Sequence, residues 1–170
     1  MLVNLQKRYV VRVASLSDFV RQLAARLRLG KREFNVCLVD DKTIRRLNHA
    51  YRGKDKATDV LSFPWIVTDE PPGAKGRDGS SRRERWGIRS FLGDVVISVP
   101  TARRNAQAEG HSTLHEVRWL ILHGVLHLLG YDHECDRGEM TSLELALREQ
   151  LGLAGDRRKM KSRPPRKTRQ

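Results

Sequence analysis

The stretch His123-Gly124-Val125-Leu126-His127-Leu128-Leu129-Gly130-Tyr131-Asp132-His133 organises the reading of the whole chain. It closes a Leu-rich segment whose pattern predicts a helix over residues 112–129. Apolar residues cover most of that helix's circumference, which makes it the central helix of the fold. His123 and His127 are four residues apart, so a helix stacks their rings one turn above the other on a single face. Gly130 has no Cβ and can take the left-handed conformation that ends a helix, and the turn after it carries His133 back toward the first two rings. Three imidazoles around one point, with a fourth position open, make the donor set of a hydrolytic zinc site. The competing reading is three unrelated histidines on a buried helix and its loop. The ligand spacing, with a helix-ending glycine between the second and third, favours the metal.

The same spacing belongs to the long metzincin protease signature, which carries Glu directly after the first His as general base. Here that position is Gly124. The missing carboxylate argues against a peptidase of that type, and Gly124 is expected to let another backbone or a substrate approach the helix closely.

Outward from this helix, the chain reads as strands and helices in alternation. A strand is expected at residues 2–6, extended by the β-branched run 9–13. A helix follows with a capping-box-like start at Ser15 and Asp18, apolar spacing through Leu16, Phe19, Val20, Leu23 and Leu27, and a stop at Gly30. Residues 34–39 form a strand, and Asp40-Asp41 caps a helix that turns Ile44, Leu47 and Ala50 inward and ends near Gly53. A short strand at 59–65 stops at Pro64. Residues 67–90 are rich in Pro, Gly, Ser and Arg and read as a long loop, in which Arg77, Arg82, Arg83 and Arg85 either meet an anion or are simply solvated. Residues 91–99 return as a continuous apolar strand, buried on both faces and therefore central. Pro100 opens a helix that Gly110 closes. After the central helix, a last helix at 136–151, apolar at Met140, Leu143, Leu145 and Leu147, packs over the histidine site.

The 170 residues, 39% of them hydrophobic, suffice for one proper core, so a single domain over residues 1–154 is expected. The formal charge of +13 points to a polyanionic partner, or at least to solubility through self-repulsion. Eight of the basic residues lie between Arg157 and Gln170, where there is no acid, so the rest of the chain carries +5. That tail, 155–170, is expected to be disordered and either grips phosphates or solubilises the protein. Cys37 and Cys135 form no disulfide framework, and no segment has the length of a membrane span or the pattern of a signal peptide. A cytoplasmic protein is expected. Cys135 is read as a neighbouring thiol rather than a fourth metal ligand.

A second constellation lies at Leu47-Asn48-His49-Ala50-Tyr51-Arg52-Gly53-Lys54-Asp55-Lys56-Ala57-Thr58-Asp59-Val60-Leu61-Ser62-Phe63-Pro64. Its Arg52 has the planar guanidinium that clamps a nonbridging phosphate oxygen and opposes transition-state charge. Charge logic alone leaves a salt bridge from Arg52 to Asp55 or Asp59 equally open. His49, His111 and His115 lack ligand spacing to the trio and read as surface or capping residues.

Together with Leu92-Gly93-Asp94-Val95-Val96-Ile97-Ser98 and the closing histidine motif, these segments resemble, in order, the YbeY endoribonucleases over residues 2–151. The resemblance implies an α+β single domain with a small mixed sheet of about four strands, surrounding helices and a central metal-ligand helix. It implies one zinc ion on His123, His127 and His133, and a part in activity for Arg52. It further implies cleavage of single-stranded RNA, maturation of the 3′ end of 16S rRNA from its precursor, and late quality control of the small ribosomal subunit. The ribosome would then be a partner, with ribosomal proteins or an assembly GTPase beside it, and a membrane would not. Two routes stay open for the cleavage: attack by an activated water, or by the RNA 2′-OH, which leaves a 2′,3′-cyclic end. This chain departs from the family in Ala57, where many members have Pro, and in its longer Arg-rich loop and tail. Two other classes remain beside the nuclease. One is a metalloprotease, opposed by Gly124. The other is a noncatalytic ribosome assembly factor with a structural zinc, which a fourth ligand such as Cys135 would favour.

Overall fold

A computed structural model describes residues 1–65, 90–131 and 138–153. Among these, four strands and five helices follow one another as β1 (Leu2–Asn4), α1 (Val13–Arg26), β2 (Glu33–Val39), α2 (Asp41–Arg52), β3 (Val60–Pro64), β4 (Phe91–Ser98), α3 (Val99–Glu109), α4 (Thr113–Leu128) and α5 (Glu139–Gln150). The sheet order is β1-β2-β4-β3, with β1, β2 and β4 parallel and β3 antiparallel to β4. This is the α+β architecture with a mixed four-stranded sheet and a central helix. The Arg-rich loop, the basic tail and the segment carrying Asp132, His133 and Cys135 lie outside the described residues, apart from the loop's last residue, Ser90.

Alternation along β2 divides the core in two. Phe34, Val36 and Leu38 face one way and, with Val95 and Ile97 of β4, meet α1 and α4 through Leu16, Phe19, Leu23, Leu120, Ile121 and Leu126. On the other face, Val39, Leu61 and Val96 meet Ile44 of α2 in a cluster of four buried residues. β4 is buried on both sides, as its unbroken apolar run predicts. Each such side chain contributes about 1.5–3 kcal/mol on leaving water, so the α4 face carries most of the stability.

Two glycines are fixed by close approach. Gly93 has φ +134°, and a Cβ there would lie 2.1 Å from the Phe63 carbonyl oxygen across the β3–β4 pair. Next to it, Glu33 pairs with Phe91 and Phe34 with Gly93, so Leu92 is the extra residue of a bulge. At Gly124 a Cβ would fall 2.5 Å from Val95 Cγ1. The close approach expected at Gly124 is thus real, but it is made by a side chain of the sheet. Ser62 Oγ also donates to the Gly124 carbonyl at 3.1 Å.

Several local expectations are corrected. Residues 9–13 form no strand. Gln6 is buried and uses its own side chain as a partner for Tyr9, donating to its carbonyl at 2.8 Å and accepting from its N–H at 2.9 Å, which turns the chain away from the sheet. α1 starts at Val13 with Arg12 at an uncapped N-terminus. Ser15 instead accepts from Arg118 at 2.8 Å, and Asp18 pairs with Arg21. The same helix ends at Arg26, before Gly30. On α2, Asp40 caps through the Thr43 N–H as expected, but Ala50 is exposed, and the buried position belongs to Asn48, whose Nδ2 donates to the Lys56 carbonyl at 2.8 Å. The last helix is described from Glu139, with Leu145 on its exposed side.

Candidate active site

α4 is capped where Ser112 Oγ accepts from the His115 N–H at 3.1 Å, and its apolar surface is held by the sheet, so its last turns are firmly placed. Those turns bring His123 and His127 together as the spacing predicts. Their rings meet edge to face with centroids 4.7 Å apart, and the two Nε2 atoms are 3.1 Å from each other. Gly130 takes φ +89°, the left-handed turn expected after the helix.

His123 is 5% exposed, and its Nδ1 lies 3.5 Å from Glu144 Oε1 on α5. The same oxygen accepts from Trp119 Nε1 at 2.8 Å and Arg148 at 2.6 Å. Burial works to raise the Glu144 carboxyl, but the interactions with His123, Arg148 and Trp119 outweigh it and lower the pKa to about 2. Glu144 is therefore charged at neutral pH. A carboxylate on the Nδ1 side favours the tautomer with its proton there, which leaves the Nε2 lone pair on the side of His127.

This arrangement fits a metal. Two imidazole nitrogens on one tetrahedral zinc, each about 2.0–2.1 Å from it, lie about 3.3 Å apart. A ligating histidine usually gives its other ring N–H to a carboxylate, the place Glu144 occupies. The described residues contain two of the three expected ligands and, by themselves, no group of three that would hold an ion. The third, His133, and the neighbouring Asp132 lie outside them.

The histidine pair opens onto a groove of about 1220 Å³ that is also lined by Arg52, Tyr51, Phe63, Trp65 and Tyr131. Arg52 ends α2, whose last turn is closed by Gly53 at φ +66°. Of the two carboxylates that competed for it in the sequence, Asp55 is held by Arg45 through bonds of 2.7 and 2.6 Å. Asp59 accepts from Asn105 and from the Val60 N–H. His49 is exposed on α2. His111 and His115 meet at 4.9 Å with their rings tilted by 48° near the start of α4, with His111 Nε2 3.3 Å from Glu116, and His115 lies about 12 Å along the axis from His123. None of these three lines the groove.

Sequence reasoning missed Glu144. Its signal was present, since Met140, Glu144 and Leu147 share one face of α5 and an acid at a core position calls for a partner.

The fold and the groove define a class: a one-sheet α+β protein with a helix-borne histidine pair and an arginine lining one groove. Comparison with known proteins makes this specific. The family model described as Endoribonuclease YbeY matches residues 3–152. A protein named Endoribonuclease YbeY from Aquifex aeolicus is 44% identical over 133 residues, covering 78% of this chain and 77% of its own. Another of that name from Nautilia profundicola is 43% identical over 125 residues, covering 74% and 76%. The solution structure of TM1509 from Thermotoga maritima superposes with a TM-score of 0.57 at 25% identity, covering 89% of each chain. The chain belongs to the endoribonuclease YbeY family.

Proposed function

We propose that this chain is a zinc-dependent endoribonuclease that cuts single-stranded RNA, with its reacting centre in the groove that His123, His127 and Arg52 line. The observation that carries this reading is the 3.1 Å approach of the two Nε2 atoms in a groove shared with Arg52. His123, His127 and His133 would hold the metal. The chemistry that zinc supplies in such a ligand set is Lewis-acid polarisation and an acidified water.

The chain's own residues do the rest. Glu144 fixes the His123 tautomer and ring angle. Arg52 clamps a nonbridging phosphate oxygen and opposes the charge that grows there as the phosphorus becomes five-coordinate. The unit proposed for this work spans residues 1–154, with 155–170 a basic appendage. The family likeness extends the proposal to the 3′ end of 16S rRNA in precursor small-subunit particles, to late ribosome quality control and to the cytoplasm. Among the described residues no helix is long and apolar enough to cross a membrane.

The test is metal analysis beside cleavage of unpaired and duplex RNA by the parent and by His127→Ala. The parent is expected to hold one zinc and cut the unpaired strand, and the variant to lose both properties. A variant that kept stoichiometric zinc and normal cleavage would remove His127 from the site. Mapping the new RNA ends separates attack by water from attack by the 2′-OH.

A further inference from the structure

We propose that Tyr51 and Trp65 are the base-stacking residues of the groove and that they make it select unpaired RNA. This rests on the endoribonuclease reading above. The first observation is exposure. Tyr51 is 70% exposed and Trp65 55%, and they are the two aromatic side chains among the exposed large hydrophobics of the described residues. Rings of this size normally bury most of their surface. Both line the same groove as Arg52, His123 and His127.

The second observation is that each ring is braced from the side. Tyr51 meets Phe63 edge to face at 5.0 Å and 69°, and Trp65 meets Phe91 at 5.9 Å and 66°. The backbone on either side is fixed as well. Tyr51 sits in the last turn of α2 next to Arg52, and the Trp65 N–H donates to the Leu92 carbonyl at 2.9 Å, just past the end of β3. Rings held this way lose little freedom when a planar partner arrives.

The chemistry of the partner follows from what surrounds the rings. Two aromatics alone would suit an apolar peptide, but an arginine and a pair of imidazoles share the groove, and these suit an anionic backbone carrying planar groups. Every base has a π face, so such stacking tolerates any sequence. Bases in a duplex are already paired and stacked on both sides, and turning one outward to a protein ring costs its unpairing and unstacking. Selection for unpaired strands then comes from the rings, while the phosphate contact comes from Arg52.

The test measures binding of the zinc-loaded full chain to a labelled, unstructured oligoribonucleotide, and to the same oligomer with bases removed around the cleavage point. The parent should prefer the base-bearing strand. Tyr51→Ala and Trp65→Ala should each weaken that strand about tenfold, raise KM for its cleavage, and leave abasic binding where it was. Tyr51→Phe and Trp65→Phe should retain the parent's preference. Alanine variants that bind the base-bearing strand as the parent does would overturn the stacking role while the nuclease reading stood. Equal losses on both strands would also overturn it, since they would mean a structural or purely electrostatic effect. A parent that neither bound nor cut RNA would overturn the nuclease reading itself, and this inference with it.

Discussion

The two faces of the sheet are built to different standards. On one, α1 and α4 bury a continuous core that includes Leu16, Leu23, Val95, Leu120 and Leu126, packed so closely that Gly124 has no room for a methyl group. On the other, α2 meets β3 and β4 through Val39, Ile44, Leu61 and Val96. The candidate site joins the two halves. His123 and His127 come from the densely packed helix, whereas Arg52 ends the lightly packed one. Stability and the placement of the histidine pair therefore reside mainly on the α4 side, and Arg52 stands exposed at the end of the helix on the thinner side.

The comparison breaks most sharply if Arg52 proves structural. Arg52→Ala should cut the rate of RNA cleavage by about 10²–10³ while its urea unfolding curve overlays the parent's. A matching loss of stability would place Arg52 in the packing. Next in size, Leu126→Ala should cost about 3 kcal/mol by chemical denaturation and Leu61→Ala nearer 2 kcal/mol. Equal costs would mean that the faces are equivalent. Gly124→Ala should destabilise by about 1–3 kcal/mol because Val95 is buried and cannot yield easily. A neutral result would show that α4 can slide on the sheet.

The smallest effect lies at the start of α2. Burial works to raise the Asp41 carboxyl, but bonds from the hydroxyls of Ser98 and Thr101 and the Arg104 guanidinium prevail and hold it below the ordinary carboxylate range. A depressed folded pKa contributes stability above the unfolded value of 3.8 and loses it as pH falls through the folded one. Asp41→Asn should therefore cost about 1 kcal/mol at neutral pH and flatten the fall in stability below pH 3.8. An unchanged acid limb in a pH-dependent unfolding series would show that Asp41 does not link α2 to α3.

What could be read from the sequence follows the same division. The His123 and His127 pair is an i, i+4 relation, so one helix fixes it without help from the fold. β4 announced itself as an unbroken apolar run, and α2 by Asp40 before it and Gly53 after it. Glu144 is different. It stands on another helix, and only packing of α5 on α4 brings its carboxylate to His123. Tyr51 and Trp65 were present in the sequence, but their sharing of one groove depends on β3 lying beside the end of α2. The misreading of residues 9–13 has a local cause: Val10, Val11 and Val13 favour strands, and the Gln6 side chain took the backbone partner that a neighbouring strand would have supplied.

Pro64 has one more consequence. Among the described residues β3 is one of the two edge strands of the sheet, and Pro64 is its last residue. A rim of free amides invites a second molecule to add its own strand and so polymerise, and a proline leaves a gap in that row of donors. The groove can thus lie along this edge strand without the strand offering neighbouring copies an unbroken template.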